Sequence, residues 1–294
     1  MTTTLFELTY NVAREITTVR EGTATGGSTT TIADTNERLE PDDYWNRGSA
    51  WILYDGGGSA AAPQGEFSII SDFANTGGIV TLRTTLTTAV ASTDRYALSV
   101  KKFPMDILIQ SVNRALFDMG KVPTTDITTI DSATNQTEYD LPVAANLDLR
   151  EVWLETNTDD ANDFRWKKQY NWYVQRTAIG TADLLVLPYQ WPSDREIKIV
   201  YVAPHAELYT ASAKMSESIP PERIVYKAAY HALKWYAMRN PNNKAAIDDM
   251  DRYEKIAARK EMENPVHIPP RTGRIIMPGS GGDDYEFEVN KVRL

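Results

Sequence analysis

Three histidines, His205, His231 and His267, are the side chains here best suited to bind a metal or to move a proton near neutral pH. Their spacing supports neither role. His205 is followed by Ala206-Glu207-Leu208 and His231 by Ala232-Leu233-Lys234, so no H-E-x-x-H pattern exists. The chain has no cysteine, which removes disulfides, thiolate nucleophiles and cysteine-ligated zinc together. A zinc site would need the distant histidines to converge. The glycine clusters make no phosphate loop: Gly56-Gly57-Gly58 runs into Ser59-Ala60, where a Lys-Ser/Thr pair would be needed. Gly279-Ser280-Gly281-Gly282 sits in a linker-like tail and is no nucleophile elbow. Asp159-Asp160-Ala161-Asn162-Asp163 matches a calcium loop only in acid content, lacking its turn glycine. Paired carboxylates such as Asp42-Asp43 and Asp283-Asp284 occur in any chain of this length and single out no acid/base site. Trp51, Trp153, Trp166, Trp172 and Trp191 could form a sugar platform, but tryptophans in sheets more often serve cores and interfaces. The sequence is therefore read as a non-enzyme with no catalytic residue, cofactor or metal.

What could bind is more concentrated. The formal net charge is −9 and the sequence pI is near 5.0, so the surface as a whole repels a phosphate backbone. Lysine and arginine are densest from Arg223 to Lys260, interleaved with Glu222, Asp248, Asp249, Asp251 and Glu254. Such mixed charge suits a solvated or intersubunit helix face. Arg223, Lys227, Lys234, Asp248, Asp251, Arg252 and Lys255 are the candidate subunit contacts. The second candidate is the tail from Pro265. Prolines and glycines break it up, yet Arg274-Ile275-Ile276-Met277 and Tyr285-Glu286-Phe287-Glu288-Val289 keep apolar anchors. Anchors on a flexible linker suit an extended groove or sheet edge.

The elements that must position these residues are two sets of helices and two β-regions. Thr4-Leu5-Phe6-Glu7 has the form of a capping box, and Leu5, Leu8, Val12 and Ile16 follow on one helical stripe. This predicts a first helix ending near Thr18, with Gly22 and Gly26-Gly27-Ser28 terminating it. Leu108, Val112, Ala115, Leu116 and Met119 predict a second helix closed by Gly120. Pro220-Pro221 opens a third, carrying Ile224, Ala228, Ala232 and Trp235, and Asn240-Pro241 separates it from a run with Ile247, Met250, Tyr253 and Ile256. Between the first two helices, short strands at 49–54, 66–71, 79–84 and 96–100 predict a small barrel or sandwich. Strands at 137–141, 150–154, 172–175, 183–187 and 195–202 predict a second, sandwich-like domain. Hydrophobic residues at 42 % suffice for real cores, and no run approaches the roughly 20 apolar residues of a membrane span. The N-terminus lacks a secretory pattern, and absent cysteine fits a reducing cytoplasm.

The predicted fold class is α+β. A discontinuous helical core (1–22, 101–122 and 211–264) carries inserted β-domains at 23–100 and 123–210 and an extended arm at 265–294. The order of parts adds to this. Phe103-Pro104-Met105-Asp106-Ile107-Leu108, Tyr139-Asp140-Leu141-Pro142, Arg150-Glu151-Val152-Trp153, Ile199-Val200-Tyr201-Val202-Ala203-Pro204 and Ile219-Pro220-Pro221-Glu222-Arg223-Ile224-Val225 follow one another in an arrangement that resembles the head-to-tail adaptor, or neck, proteins of tailed bacteriophages. The resemblance implies a homo-oligomeric ring, often a dodecamer, in the virion neck between portal protein and tail, assembled in the host cytoplasm. It implies passing DNA without sequence-specific contact, no membrane, and a partner-binding arm. That arm falls on Arg271, Arg274, Ile275, Ile276, Tyr285, Phe287 and Val289. The alternatives are another virion structural protein (tail terminator, baseplate or decoration protein) and a carbohydrate-binding module.

Overall fold

The computed structural model describes residues 3–36, 40–133, 135–142, 148–156, 166–176 and 182–276. The fold is mixed α+β, as the sequence predicts. The chain forms two compact units, Met1–Val122 with Pro204–His267 and Pro123–Ala203 with Ile268–Leu294. It passes between them three times, and each passage is proline-bearing: Pro123, Pro204, and Pro265 with Pro269-Pro270.

Four helices of the described residues lie in the first unit: α1 (Leu5–Ile16), α2 (Met105–Asp118), α3 (Pro221–Arg239) and α4 (Lys244–Glu263). The α1 capping box is formed, with Thr4 N donating to Glu7 Oε2 at 2.8 Å and Glu7 N to Thr4 Oγ1 at 3.3 Å. Two further first-turn donors, Leu5 N and Phe6 N, reach the carbonyls of Ala213 and Ala211 at 2.9 and 3.0 Å. Those groups would otherwise be left without partners at a buried helix start. After α2 the chain turns at Gly120, whose φ of 71° favours glycine. Asn243 caps α4, its side chain accepting from Ala246 N at 3.2 Å. Helix α3 is the centre, packed against α1, α2 and α4. Its Ala228, Ala229 and Ala232 are fully buried beside Leu5, Leu8 and Val12 of α1 and Leu108, Val112 and Leu116 of α2.

Seven strands complete this unit: β1 (Val19–Thr23), β2 (Gly26–Gly27), β3 (Thr31–Ala33), β4 (Ser49–Tyr54), β5 (Phe67–Ala74), β6 (Ile79–Leu82) and β7 (Arg95–Ser99). They pair in the order β1-β7-β4-β5-β6-β3-β2, with antiparallel neighbours throughout. The two edge strands are consecutive in the chain, parted only by Ala24 and Thr25. One bent segment therefore pairs with β7 through its first half and β3 through its second, which closes the sheet into a barrel and leaves no free edge. The sequence assigns the glycines at 22 and 26–27 to the end of a helix. They are instead strand residues, because glycine lets that segment bend between its two partners.

Alternation along β4 serves two cores. Ala50 and Ile52 point into the barrel with Ile32, Phe73, Val80, Tyr96 and Leu98. Trp51, between them, joins the helical core together with Ala97 of β7. The sequence reading separates an inserted domain at 23–100 from the helices, whereas barrel and helices share this unit and meet at Trp51. The Trp51 Nε1–H donates to Thr9 Oγ1 at 3.2 Å, and Tyr10 meets the indole edge-on at 5.9 Å between centroids. Thr9 Oγ1 itself lies 3.0 Å from both Leu5 O and Phe6 O, so the indole and the hydroxyl it meets are both partnered.

The second unit is a two-sheet sandwich. Its strands are β8 (Lys121–Asp126), β9 (Glu138–Asp140), β10 (Leu149–Glu155), β11 (Trp166–Gln169), β12 (Tyr173–Gln175), β13 (Leu184–Val186), β14 (Ile197–Pro204) and β15 (Arg274–Ile276). One sheet has the order β11-β10-β14-β8 and the other β15-β12-β13-β9. Val152, Leu154, Ile197 and Ile199 of the first share a core with Tyr139, Trp172, Val174 and Leu185 on the side of the second. The β10–β11, β10–β14, β12–β13 and β9–β13 pairs are antiparallel, and β12–β15 is parallel.

Replacing the fully buried Trp51 with alanine removes packing from the junction of barrel and helices. Trp51→Ala is expected to cost about 3–5 kcal/mol in urea unfolding monitored by circular dichroism. A loss below about 1 kcal/mol would show that the two layers do not depend on this side chain.

Candidate interaction surfaces

Helix α4 presents two unlike sides. Ala246, Met250, Tyr253 and Ala257 recur at helical spacing on the inner side. The Tyr253 hydroxyl donates to Glu15 O at 2.7 Å, and burial together with the Glu15 carboxylate pushes the phenol up to about 12. On the outer side Asp248, Asp251, Arg252 and Lys255 line an open depression with Ile256 and Arg259. All four of these candidate contacts are exposed and form no ion pair among the described residues.

Arg223 does not belong with them. It is buried, pairs with Glu261 at 2.6 Å and donates to Asn264 O at 3.4 Å, so it ties the start of α3 to the end of α4. A charge on an amphipathic helix reads as a surface residue until its partner on the next helix is known. Lys227 and Lys234 sit elsewhere, on an α2–α3 surface. Their ammonium groups lie 5.8 and 5.6 Å from the centroid of Tyr230, one helical turn to each side.

The same surface holds residues that sequence reasoning passed over. Phe117 of α2 is 68 % exposed, with the Arg114 guanidinium 5.4 Å from its ring centroid. His231 Nε2 lies 2.9 Å from Asp118 Oδ2, linking α3 to α2. Burial lowers the imidazole pKa against the opposing pull of Asp118, with Lys227 and Arg114 lowering it further. A neutral ring donating from Nε2 satisfies this geometry. The available signal was Phe117, an aromatic out of phase with the apolar stripe of its own helix.

The tail divides at Ile276. Arg271 reaches Asp148 at 2.5 Å and Leu149 O at 3.2 Å, and Asp148 also accepts from Arg150 at 2.6 Å. Burial works against the Asp148 carboxylate, but the two guanidiniums outweigh it and hold its pKa below the usual range. Thr272 N donates to Arg150 O at 2.9 Å, and Trp172 Nε1 donates to Thr272 Oγ1 at 3.1 Å. Arg274, Ile275 and Ile276 form β15, in register with Tyr173, Val174 and Gln175. The sequence reading treats all of 265–294 as an extended arm. Residues 271–276 are instead bound to their own sandwich, where backbone and side-chain partners more than a hundred positions away hold them. Tyr285, Phe287 and Val289 lie outside the described residues.

The remaining sequence candidates are dispersed. His205 Nε2 accepts from Ser216 N at 3.0 Å, and His267 is exposed. Among the described residues no three His, Asp or Glu side chains are grouped to hold a metal. Trp51 and Trp172 are buried. Trp153 stands between Lys168 and Lys198, directly opposite it on the two neighbouring strands, with the ammonium groups 5.3 and 5.5 Å from its ring centroid. No helix is long and apolar enough to cross a membrane among the described residues. The arrangement offers charged and aromatic surfaces for association. The sequence matches no protein-family model, and no curated protein is significantly similar to it.

Two substitutions separate internal from surface roles. Arg223→Ala is expected to cost about 1.5–3 kcal/mol, the range for hydrogen bonds to charged groups, whereas Asp248→Ala stays within about 0.5 kcal/mol. Equal effects in denaturant unfolding would place Arg223 among the surface residues. At Gly273 a Cβ would lie 2.3 Å from the Trp172 ring. Gly273→Ala is therefore expected to release residues 271–276 from the sandwich, read as faster limited proteolysis there with a shift in tryptophan emission; unchanged cleavage counts against the clamp.

Proposed function

We propose that this chain is a structural virion protein that assembles as a ring between the portal and the tail of a tailed phage. The ring extends the DNA channel and offers the docking surface for the tail or other neck proteins. The observation that carries the reading is the helical unit itself. Three helices from distant parts of the chain bury one another, yet the outer side of α4 leaves Asp248, Asp251, Arg252 and Lys255 exposed and without ion pairs among the described residues. Mixed, unneutralised charge on a rigid helix fits contact with a further copy. The net charge of −9 fits a channel through which a duplex slides without adhering. In this reading the protein acts without catalysis or cofactor, in the virion neck after assembly in the host cytoplasm.

The arm that grips the portal begins beyond Ile276, since residues 271–276 are held by their own sandwich. Its anchors are Tyr285, Phe287 and Val289. A carbohydrate-binding reading has less support, because lysines on both neighbouring strands crowd the ring of Trp153.

Removing residues 278–294 is expected to leave a folded protein that no longer docks on portal rings, as seen by electron microscopy of the mixture. Normal docking by the truncated protein would sink the arm assignment. Images placing the intact protein on the capsid lattice, away from the portal, would favour a decoration role.

A further inference from the structure

The helical unit carries two unlike charged surfaces, and their chemistry is complementary. On α2 and α3, Arg114, Lys227 and Lys234 surround the exposed Phe117 and the half-buried Tyr230. The nearby acids are already engaged, Asp118 by His231 at 2.9 Å and Arg114 at 3.3 Å, and Glu261 by Arg223 at 2.6 Å. In a chain of net charge −9 this is a locally basic, aromatic patch.

On α4, Asp248, Asp251 and Glu254 are exposed and three residues apart, so they form one continuous carboxylate ridge on the helix surface. Arg252 and Lys255 stand four residues after Asp248 and Asp251, where helical ion pairs could close, yet neither pair is formed. The carboxylates of the ridge remain available. Lys227 and Lys234 are seven residues apart along α3, about 10 Å, and Asp248 and Glu254 span about 9 Å along α4. The lysine spacing on α3 is close to the carboxylate spacing on α4, where the cations Arg252, Lys255 and Arg259 stand beside the ridge.

We propose that the α2–α3 patch of one copy receives the α4 carboxylate ridge of a second copy, head to tail. This rests on the ring reading above and names the two surfaces that would build the ring. Because the surfaces differ, each copy keeps one of each free after pairing, so association continues until the rotation closes. Phe117 and Tyr230 supply the apolar part of the contact, and the ionic part makes it sensitive to salt. Arg223, buried against Glu261, takes no part.

The test uses two full-length variants, Lys227→Glu/Lys234→Glu and Asp248→Lys/Asp251→Lys. In low-salt sedimentation velocity the wild type is expected to form oligomers that dissociate as salt rises. Each variant alone is expected to be monomeric, or at least tenfold weaker in association, with an unchanged circular dichroism spectrum. Mixing the two is expected to restore oligomers, because each altered patch then meets an oppositely altered ridge. Should Lys227→Glu disturb the fold, Lys234→Glu alone carries the same expectation. Variants that assemble like the wild type, or a mixture that stays monomeric, overturn the proposal. So does a wild type that is monomeric at every concentration. Occupancy of portal rings by wild type, measured separately, decides the ring reading itself: full rings that persist with both variants overturn only these surfaces.

Discussion

The architecture depends on one side of α3 being nearly bare. Ala228, Ala229 and Ala232 are fully buried and place only methyl groups between α3 and its neighbours. Small side chains there let α1 and α2 bring Leu8, Val12, Leu108 and Val112 close to the α3 backbone, and dispersion is lost quickly when such contacts open. Ile224, Val225 and Leu233 of α3 are buried with the alanines, while its tyrosines Tyr226, Tyr230 and Tyr236 are only partly buried. A leucine in place of any of these alanines would overpack a site that three chain segments share. The helices are thus held less by their own propensities than by the close approach the alanines permit.

The barrel is attached through the same logic of shared strands. In β4 and β7 the inward residues Ile52, Tyr96 and Leu98 fill the barrel, while the outward residues Trp51 and Ala97 belong to the helical core. A sheet buried on both faces needs apolar residues at successive positions, and Ser49–Ile52 is buried without interruption. Closure then removes the strand edges that would otherwise pair with other chains. What the first unit offers to partners is therefore side chains rather than strand edges.

The helices were legible in the sequence because each carries a stripe and a terminator: the Thr4–Glu7 capping box, Gly120, Pro220-Pro221 and Asn240-Pro241. The longer strands were legible from alternation. β1, β2, β3, β8 and β11 were not; Val19–Thr23 and Gly26–Gly27, for instance, contain few apolar residues and owe their strand form to hydrogen bonds with β7 and β3. The candidate surfaces were legible in part. Asp248, Asp251, Arg252 and Lys255 come together because helical spacing alone decides it. Arg223 and Arg271 were misread for one reason: their partners, Glu261 and Asp148, are distant in sequence, and no local pattern announces a long-range ion pair. Phe117 and Arg114 were overlooked because their interest lies in being beside α3, which only the fold supplies.

The three passages between the units bear on how the protein is made. Neither unit is a contiguous stretch: the first waits for α3 and α4, and the second waits for residues 271–276 to reach Asp148, Trp172 and β12. During synthesis the barrel can close early, since β1 to β7 are all made before α2. The sides of α1 and α2 that pack on α3 then stay uncovered while the sandwich strands emerge from the ribosome. Final consolidation of both units falls close together, after Ile276 has been translated. A nascent chain with that order of events exposes hydrophobic surface until α3 and α4 are made, the kind of surface that makes incomplete chains prone to aggregate.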